Sequence, residues 1–304
     1  MNIAECIEQV AERLEKAGLS YGHGTDNALD EAAWLVLFAA GAPLDGGFHE
    51  WGRALDPEQQ AAAEHWVEAR CRTRLPLAYL LGTAWFAGLE FEVNENVLVP
   101  RSPIAELIRD RFQPWIQPDN VRRVLDLCTG SGCIAIATAT YLPEARVDAA
   151  DISAAALTVA ARNRRRHGLT DRVSLIRSDL FRSIPECRYD LIVTNPPYVP
   201  AGSIAGLPAE YRAEPALGLV SGDDGLDIVL SILLDAPEFL GAQGVLVCEV
   251  GESEERLAES LPGVPFTWLE FEHGGSGVFV LSRAELEDAR AEVAALIKER
   301  KNVL

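Results

Sequence analysis

The chain reads as an α/β protein: a mostly parallel, doubly wound sheet ending in a C-terminal antiparallel hairpin, with a small helical domain in front of it. Three observations predict this. From Val121 onward, apolar runs of strand length alternate with helical segments, the pattern of parallel strands covered on both faces. Near the end, TWLEFE (267–272) and VFVLSR (278–283) flank the five-residue turn HGGSG, which predicts antiparallel partners. Before residue 75 the apolar positions recur at helical spacing only.

The elements follow in order. Ile3, Ile7, Val10 and Leu14 mark a first helix, 28–40 a second and 57–72 a third, punctuated by Gly18, Gly41-Ala42-Pro43 and Gly46-Gly47. Residues 1–74 form the helical domain. Residues 75–100 predict a strand-rich linker that folds as a hairpin, with turns at Gly82 and Gly88. Residues 101–304 form the third part. It opens with a helix in RSPIAELIRDRF, for which Ser102 is a cap and Pro103 a first-turn residue. Strands are expected at 121–127, 146–151, 172–177, 189–194 and 243–250. Helices are expected at 132–142, 153–167, 224–240 and 252–261, with a last one at 284–301.

Composition narrows the function. The 304 residues carry 27 basic and 46 acidic side chains, net −19. Such a surface repels phosphate backbones and attracts a basic partner, so no direct nucleic-acid binding is expected. Residues 1–72 alone hold 5 basic and 13 acidic residues. No apolar stretch is long enough to span a membrane, and the acidic N-terminus is unlike a signal peptide. Cys6, Cys71, Cys128, Cys133, Cys187 and Cys248 form no CxxC, so neither a zinc site nor a disulfide framework is expected. A cytoplasmic protein with reduced thiols fits these facts.

Two motifs carry chemistry. DLCTGSG (126–132) ends the first strand of the alternating region and opens a helix, with Gly130 and Gly132 letting backbone approach a ligand. Gly130 to Ala135 also matches a GxGxxA dinucleotide pattern followed by Asp151, so a nicotinamide or flavin enzyme stays open. Asp126 favours another ligand: a carboxylate beside the loop repels pyrophosphate and suits a cationic amino group, as in S-adenosylmethionine. Asp151 and Asp179 end the next two strands, positioned for ribose hydroxyls and an adenine amino group. Alternatively, such acids cap the helices that follow. The second motif, TNPPYV (194–199), follows the fourth strand, where the prolines stop the ladder. The Asn195 side chain and Pro196 carbonyl can present two oxygens to a planar –NH2 group, with Tyr198 as a face behind it. Fixed acceptors on both protons return electron density to an amide nitrogen and aim its lone pair. His23, His49, His65, His167 and His273 lie outside the motifs, so proton loss is expected after transfer, to water or a backbone acceptor.

DLCTGSG, Asp151, Asp179 and Asn195-Pro196-Pro197-Tyr198 together resemble class I S-adenosylmethionine-dependent methyltransferases of planar amines, whose fold is Rossmann-like. Such corners occur in adenine DNA, guanine ribosomal RNA and protein glutamine methyltransferases. LAYLLGTAWFAGLEFEVNENVLVPR behind a helical domain is similar to the HemK/PrmC-like protein-(glutamine-N(5)) methyltransferases. In that family the release-factor enzymes usually carry Arg-Pro-Glu-Thr where this chain has Arg101-Ser102-Pro103-Ile104. That difference, with residues 207–227 and 265–281, resembles the PrmB branch, which acts on the third large-subunit ribosomal protein (L-three). The branch commonly has histidine where Ala213 stands here.

The resemblance implies S-adenosylmethionine as methyl donor and S-adenosylhomocysteine as product. It implies that Asp126, Thr129, Gly130, Gly132, Asp151, Asp179 and Asn195 shape the cofactor site. Asn195 and Pro196 would hold the substrate amide, with Pro197, Tyr198 and Glu214 beside it; Asn195, Pro196 and Tyr198 would carry catalysis, and no metal is implied. The implied partner is L-three, free or in a ribosome assembly intermediate, and the helical domain would recognise it. Release-factor methylation, a nucleic-acid amine methyltransferase and a non-catalytic assembly factor with a relict pocket remain alternatives.

Overall fold

A computed structural model describes residues 1–44 and 46–303, without the Val303 side chain. The chain divides into two compact units. The first comprises residues 1–95, 99–101 and 207–214, and the second 96–98, 102–206 and 215–304.

In the first unit, α1 (Ile3–Lys16), α2 (Ala28–Ala39) and α3 (Pro57–Thr73) bury their apolar faces on one another around Leu14, Leu35, Val36 and Val67. Each starts where a side chain can accept an otherwise unpaired N–H: Asn2, Asn27 and Asp56 accept from Glu5, Asp30 and Gln59. The linker differs from its sequence reading at LAYLL. Those residues form a short helix, α4 (Leu77–Leu81), ended by Gly82 at φ 70°. The hairpin follows as β1 (Thr83–Phe86) and β2 (Leu89–Glu92), antiparallel. A run of five apolar or aromatic residues suits helix and strand alike, and the glycine cap decides for helix here.

The second unit contains, in order, α5 (Ile104–Arg109), β3 (Arg123–Leu127), α6 (Cys133–Tyr141), β4 (Arg146–Asp151), α7 (Ala154–Arg166), β5 (Val173–Arg177) and β6 (Tyr189–Thr194). The chain then gives α8 (Ala209–Arg212) to the first unit. It returns with α9 (Asp227–Phe239), β7 (Leu240–Glu249), α10 (Glu254–Ser260), β8 (Thr267–Trp268), β9 (Val278–Ser282) and α11 (Arg283–Val303). The sheet order is β5-β4-β3-β6-β7-β9-β8, parallel except around β9. The expected first strand of the C-terminal hairpin is trimmed: only Thr267 and Trp268 pair, and Leu269 adds one backbone bond to Val278.

Register positions the site. Ile176, Ala150, Leu127, Thr194 and Cys248 lie side by side across β5, β4, β3, β6 and β7. The residues one step further, Arg177, Asp151, Cys128, Asn195 and Glu249, therefore emerge together along the carboxyl edge, where open α/β sheets bind ligands.

Candidate active site

The glycine loop connects β3 to α6. Asp126, next to last in β3, is fully buried beneath it. One carboxylate oxygen accepts from the Thr129 hydroxyl at 2.5 Å and from the Ala135 N–H at 3.0 Å, closing the loop onto the helix start. The other oxygen, Oδ1, is buried with no hydrogen-bond partner among the described residues. Burial pushes this carboxyl up to about 7, against the pull of those two donors. A buried acceptor without a donor is costly, and an ammonium is the donor that would relieve it best.

Thr129 is 4% exposed and serves the loop: its hydroxyl braces Asp126 and its N–H donates to the Ala150 carbonyl. Gly130, at φ 54°, donates its N–H to Asp151 Oδ2 at 2.8 Å, and a Cβ there would meet nothing within 4 Å. Gly132 has a different reason to be glycine. At φ 81° it caps α6, and a Cβ would stand 3.1 Å from Ala160 Cβ and 3.3 Å from Ile136 Cδ1. It lets two helices pack closely; Gly130 leaves open space above the loop.

Asp151 braces the loop rather than capping α7, since Ser153 is that cap. Its two oxygens accept from the Gly130 and Ser153 N–H groups, both at 2.8 Å. Burial raises its carboxyl above the ordinary value. Asp179 lies apart from this set. Its side chain is 45% exposed and pairs with Arg182 at 2.7 Å. The loop, with one unpaired carboxylate oxygen, free space over Gly130 and no phosphate-seeking cation in its own sequence, fits a cationic, phosphate-free ligand.

The NPPY corner leaves β6 beside this loop. The Thr194 hydroxyl ties the strand end to the Leu127 carbonyl at 2.8 Å. Pro196 and Pro197 are buried and Asn195 is half-buried. Among the described residues, neither the Asn195 side-chain amide nor the Pro196 carbonyl has a hydrogen-bond partner. Both are available to a planar amine. Tyr198 is more than a face: its hydroxyl donates to Glu249 at 3.2 Å. Its carbonyl accepts from the Ser253 hydroxyl at 3.0 Å.

Glu214, which the resemblance places beside the substrate amide, is held by the protein itself. It is 5% exposed and belongs to the first unit. Arg101 binds its carboxylate with two donors, at 2.6 and 2.7 Å, the Val99 N–H donates at 3.0 Å, and His23 Nε2 stands 3.4 Å away. Burial alone would raise this carboxyl, but the facing His23 and Arg101 outweigh it and hold it at about 2. Both oxygens are spent on the protein. Glu210, four residues earlier, is likewise fully buried against Arg70 and Arg74. Segment 207–214 is thus held by buried ion pairs that no local motif announces. Sequence reading also missed Glu249 and a cavity of about 280 Å³ in the first unit, lined by Trp34, Phe48, Trp51 and Trp85.

The chain was compared with known proteins. Residues 5–82 match the PrmC N-terminal domain model and 112–207 the Methyltransferase small domain model. A ribosomal protein uL3 glutamine methyltransferase from Xylella fastidiosa (strain Temecula1) is 50% identical over 299 residues, 98% of this chain and 95% of the relative. One from Xanthomonas campestris pv. campestris is 49% identical over 300 residues, 98% and 96% of the two chains. Among solved structures, the hMettl16 catalytic domain in complex with a MAT2A 3'UTR hairpin aligns with a TM-score of 0.53 at 18% identity, covering 82% of this chain and 92% of the other. That likeness is one of fold. The expected α/β methyltransferase fold with its helical N-terminal domain is what the chain has. With half its residues shared over nearly its full length, the chain belongs to the family of ribosomal protein uL3 glutamine methyltransferases.

Proposed function

We propose that the protein transfers a methyl group from S-adenosylmethionine to the side-chain amide nitrogen of one glutamine in ribosomal protein uL3, the L-three of the sequence reading. The observation that carries this reading is the corner at Asn195-Pro196. Two unpartnered acceptors stand at the end of β6, one strand away from a glycine loop with an unpaired buried carboxylate oxygen.

The donor supplies an electrophilic methyl on a sulfonium. Asp126 Oδ1 would receive its ammonium, and Asp151, already fixed by Gly130 and Ser153, has lone pairs left for ribose hydroxyls. Asp179 would reach the adenine amino group only by leaving Arg182. Asn195 Oδ1 and the Pro196 carbonyl would each accept one N–H of the glutamine amide. That orients its lone pair for in-line displacement and raises the electron density on nitrogen. The proton leaves after transfer, to water. Pro197 and Tyr198 would wall the amide.

We assign the helical unit to docking. Its excess of acids, 13 against 5 basic residues over positions 1–72, complements a protein that must neutralise ribosomal RNA phosphates. A KM for uL3 that rises with salt reports this docking. Among the described residues no helix is long and apolar enough to cross a membrane. The proposed reaction runs in the cytoplasm, on uL3 free or in an assembly particle. Asn195→Ala tests the corner: transfer to uL3 falls by about a hundredfold or more while S-adenosylmethionine affinity stays within about threefold. Unchanged turnover in that variant sinks the amide clamp.

A further inference from the structure

Two prolines leave the segment Asn195–Tyr198 little freedom, so its aim depends on how its two ends are fixed. The first end is β6, tied by Thr194 to β3. The second end is Tyr198, and it is held by groups outside the motif. Its hydroxyl donates to Glu249 Oε1 at 3.2 Å. Glu249, the last residue of β7, is 5% exposed and follows Cys248, the register partner of Thr194. It therefore stands in the edge row beside Asn195.

The carboxylate is anchored on its other oxygen. Oε2 accepts from the Ser102 hydroxyl at 2.5 Å, and Ser102, 7% exposed, accepts in turn from the Ile104 N–H at the start of α5. The ring of Tyr198 backs onto Gly251, where a Cβ would approach within 2.6 Å of Cε2 and 2.7 Å of Cζ. A Cβ on Gly225 would overlap the Tyr198 carbonyl. Both glycines have positive φ, 47° and 89°. The backbone has been brought against this tyrosine on two sides. A hydrogen bond to a buried carboxylate is stronger than one to water, so it fixes the ring more firmly than packing alone.

We propose that Glu249 is a positioning residue of the transfer reaction: anchored by Ser102, it holds the Tyr198 hydroxyl and so fixes the free end of the corner that aims the glutamine amide. This rests on the functional reading above. It predicts an effect on turnover that passes through the Tyr198 hydroxyl and leaves the glycine-loop side untouched.

The test is a double-substitution cycle on the full-length protein with Glu249→Gln and Tyr198→Phe. It reads kcat, KM for uL3 and S-adenosylmethionine affinity. A glutamine at 249 keeps the shape but has one acceptor oxygen for two hydroxyls, and phenylalanine removes only the hydroxyl. Each single substitution lowers kcat by about tenfold or more and leaves cofactor affinity within about twofold. The double variant falls no further than the worse single, because both cut the same link. Wild-type kcat in either single variant, or multiplied losses in the double, overturns the proposal. If Glu249→Gln does not fold, Tyr198→Phe alone decides on its kcat. If the wild-type protein transfers nothing to uL3, the functional reading fails instead. A crystal structure of Glu249→Gln then judges this inference: a displaced Tyr198 ring supports it, and an unmoved ring overturns it.

Discussion

Replacing Asp126 with asparagine separates the cost of a buried carboxylate from its use. In the folded protein its carboxyl is raised from 3.8 to about 7. Its neighbours narrow the titration to carboxylates. Burial pushes the Cys133 thiol up to about 12 and raises the Cys128 thiol as well, so both stay neutral, and the carboxyl across the loop, Asp151, is itself raised by burial. An acid with a raised folded value binds a proton in the native state that the unfolded chain has already lost. Stability therefore falls as pH rises from about 4 to about 7, and the penalty is complete above that. A shift of about 3 pH units is worth about 4 kcal/mol at pH 8 and under about 2 kcal/mol near pH 5. Asp126→Asn carries no charge and keeps one oxygen for Thr129 and Ala135. The unliganded variant should thus be more stable than the wild type at pH 8, by up to about 4 kcal/mol, with the gap closing towards pH 5. Its affinity for S-adenosylmethionine should be lower at pH 8. In the wild type a cationic ligand favours the ionised carboxylate, so affinity should rise up to about tenfold per pH unit below 7 and flatten above it. Denaturant melts and calorimetric titrations at pH 5.5 to 8.5 measure both. A flat affinity profile in the wild type, or an asparagine variant that binds as tightly at pH 8, refutes the assignment of Oδ1 to the ligand.

Gly130 and Gly132 should fail differently. Gly130→Ala strains only a φ of 54° in open space, costs about 1 kcal/mol of stability and lowers cofactor affinity; Gly132→Ala pushes a methyl against Ala160 and costs about 1–3 kcal/mol. Melting and ligand titration of the two variants check the contrast. Glu214→Gln should destabilise the fold by about 3 kcal/mol, because it removes the buried charge that the partly buried Arg101 and the buried His23 face. In the wild type the carboxyl lies below its unfolded value of 4.5, at about 2. The stability it adds is thus complete above about pH 4.5 and lost as pH falls towards 2, about 3 kcal/mol in all. Acid denaturation that begins no earlier in Glu214→Gln than in the wild type contradicts this.

What the sequence revealed follows the range of the interactions. The strand–helix alternation, the two glycine turns and NPPY are local signals, and the corresponding strands and helices lie within a few residues of their expected limits. LAYLL was misjudged as strand because five residues are too few to show a period. Glu249 and Ser102 are 147 positions apart, and Glu214 and Arg101 are 113 apart. No spacing rule links residues at such distances, so the groups that hold the corner and the 207–214 segment emerge only from the fold. Asp126, Asp151 and Asp179 look equivalent in sequence, each at a strand end. Register and burial distinguish them: the first is sealed in, the second braces the loop and the third faces Arg182.

The most direct test of the account is methyl transfer from labelled S-adenosylmethionine to purified uL3 and, in parallel, to peptide-release factors and RNA, followed by peptide mass mapping. The account predicts a single methyl on a glutamine side chain of uL3 and none on the others. Label on a release factor or on RNA, or on a residue of uL3 other than glutamine, would contradict it.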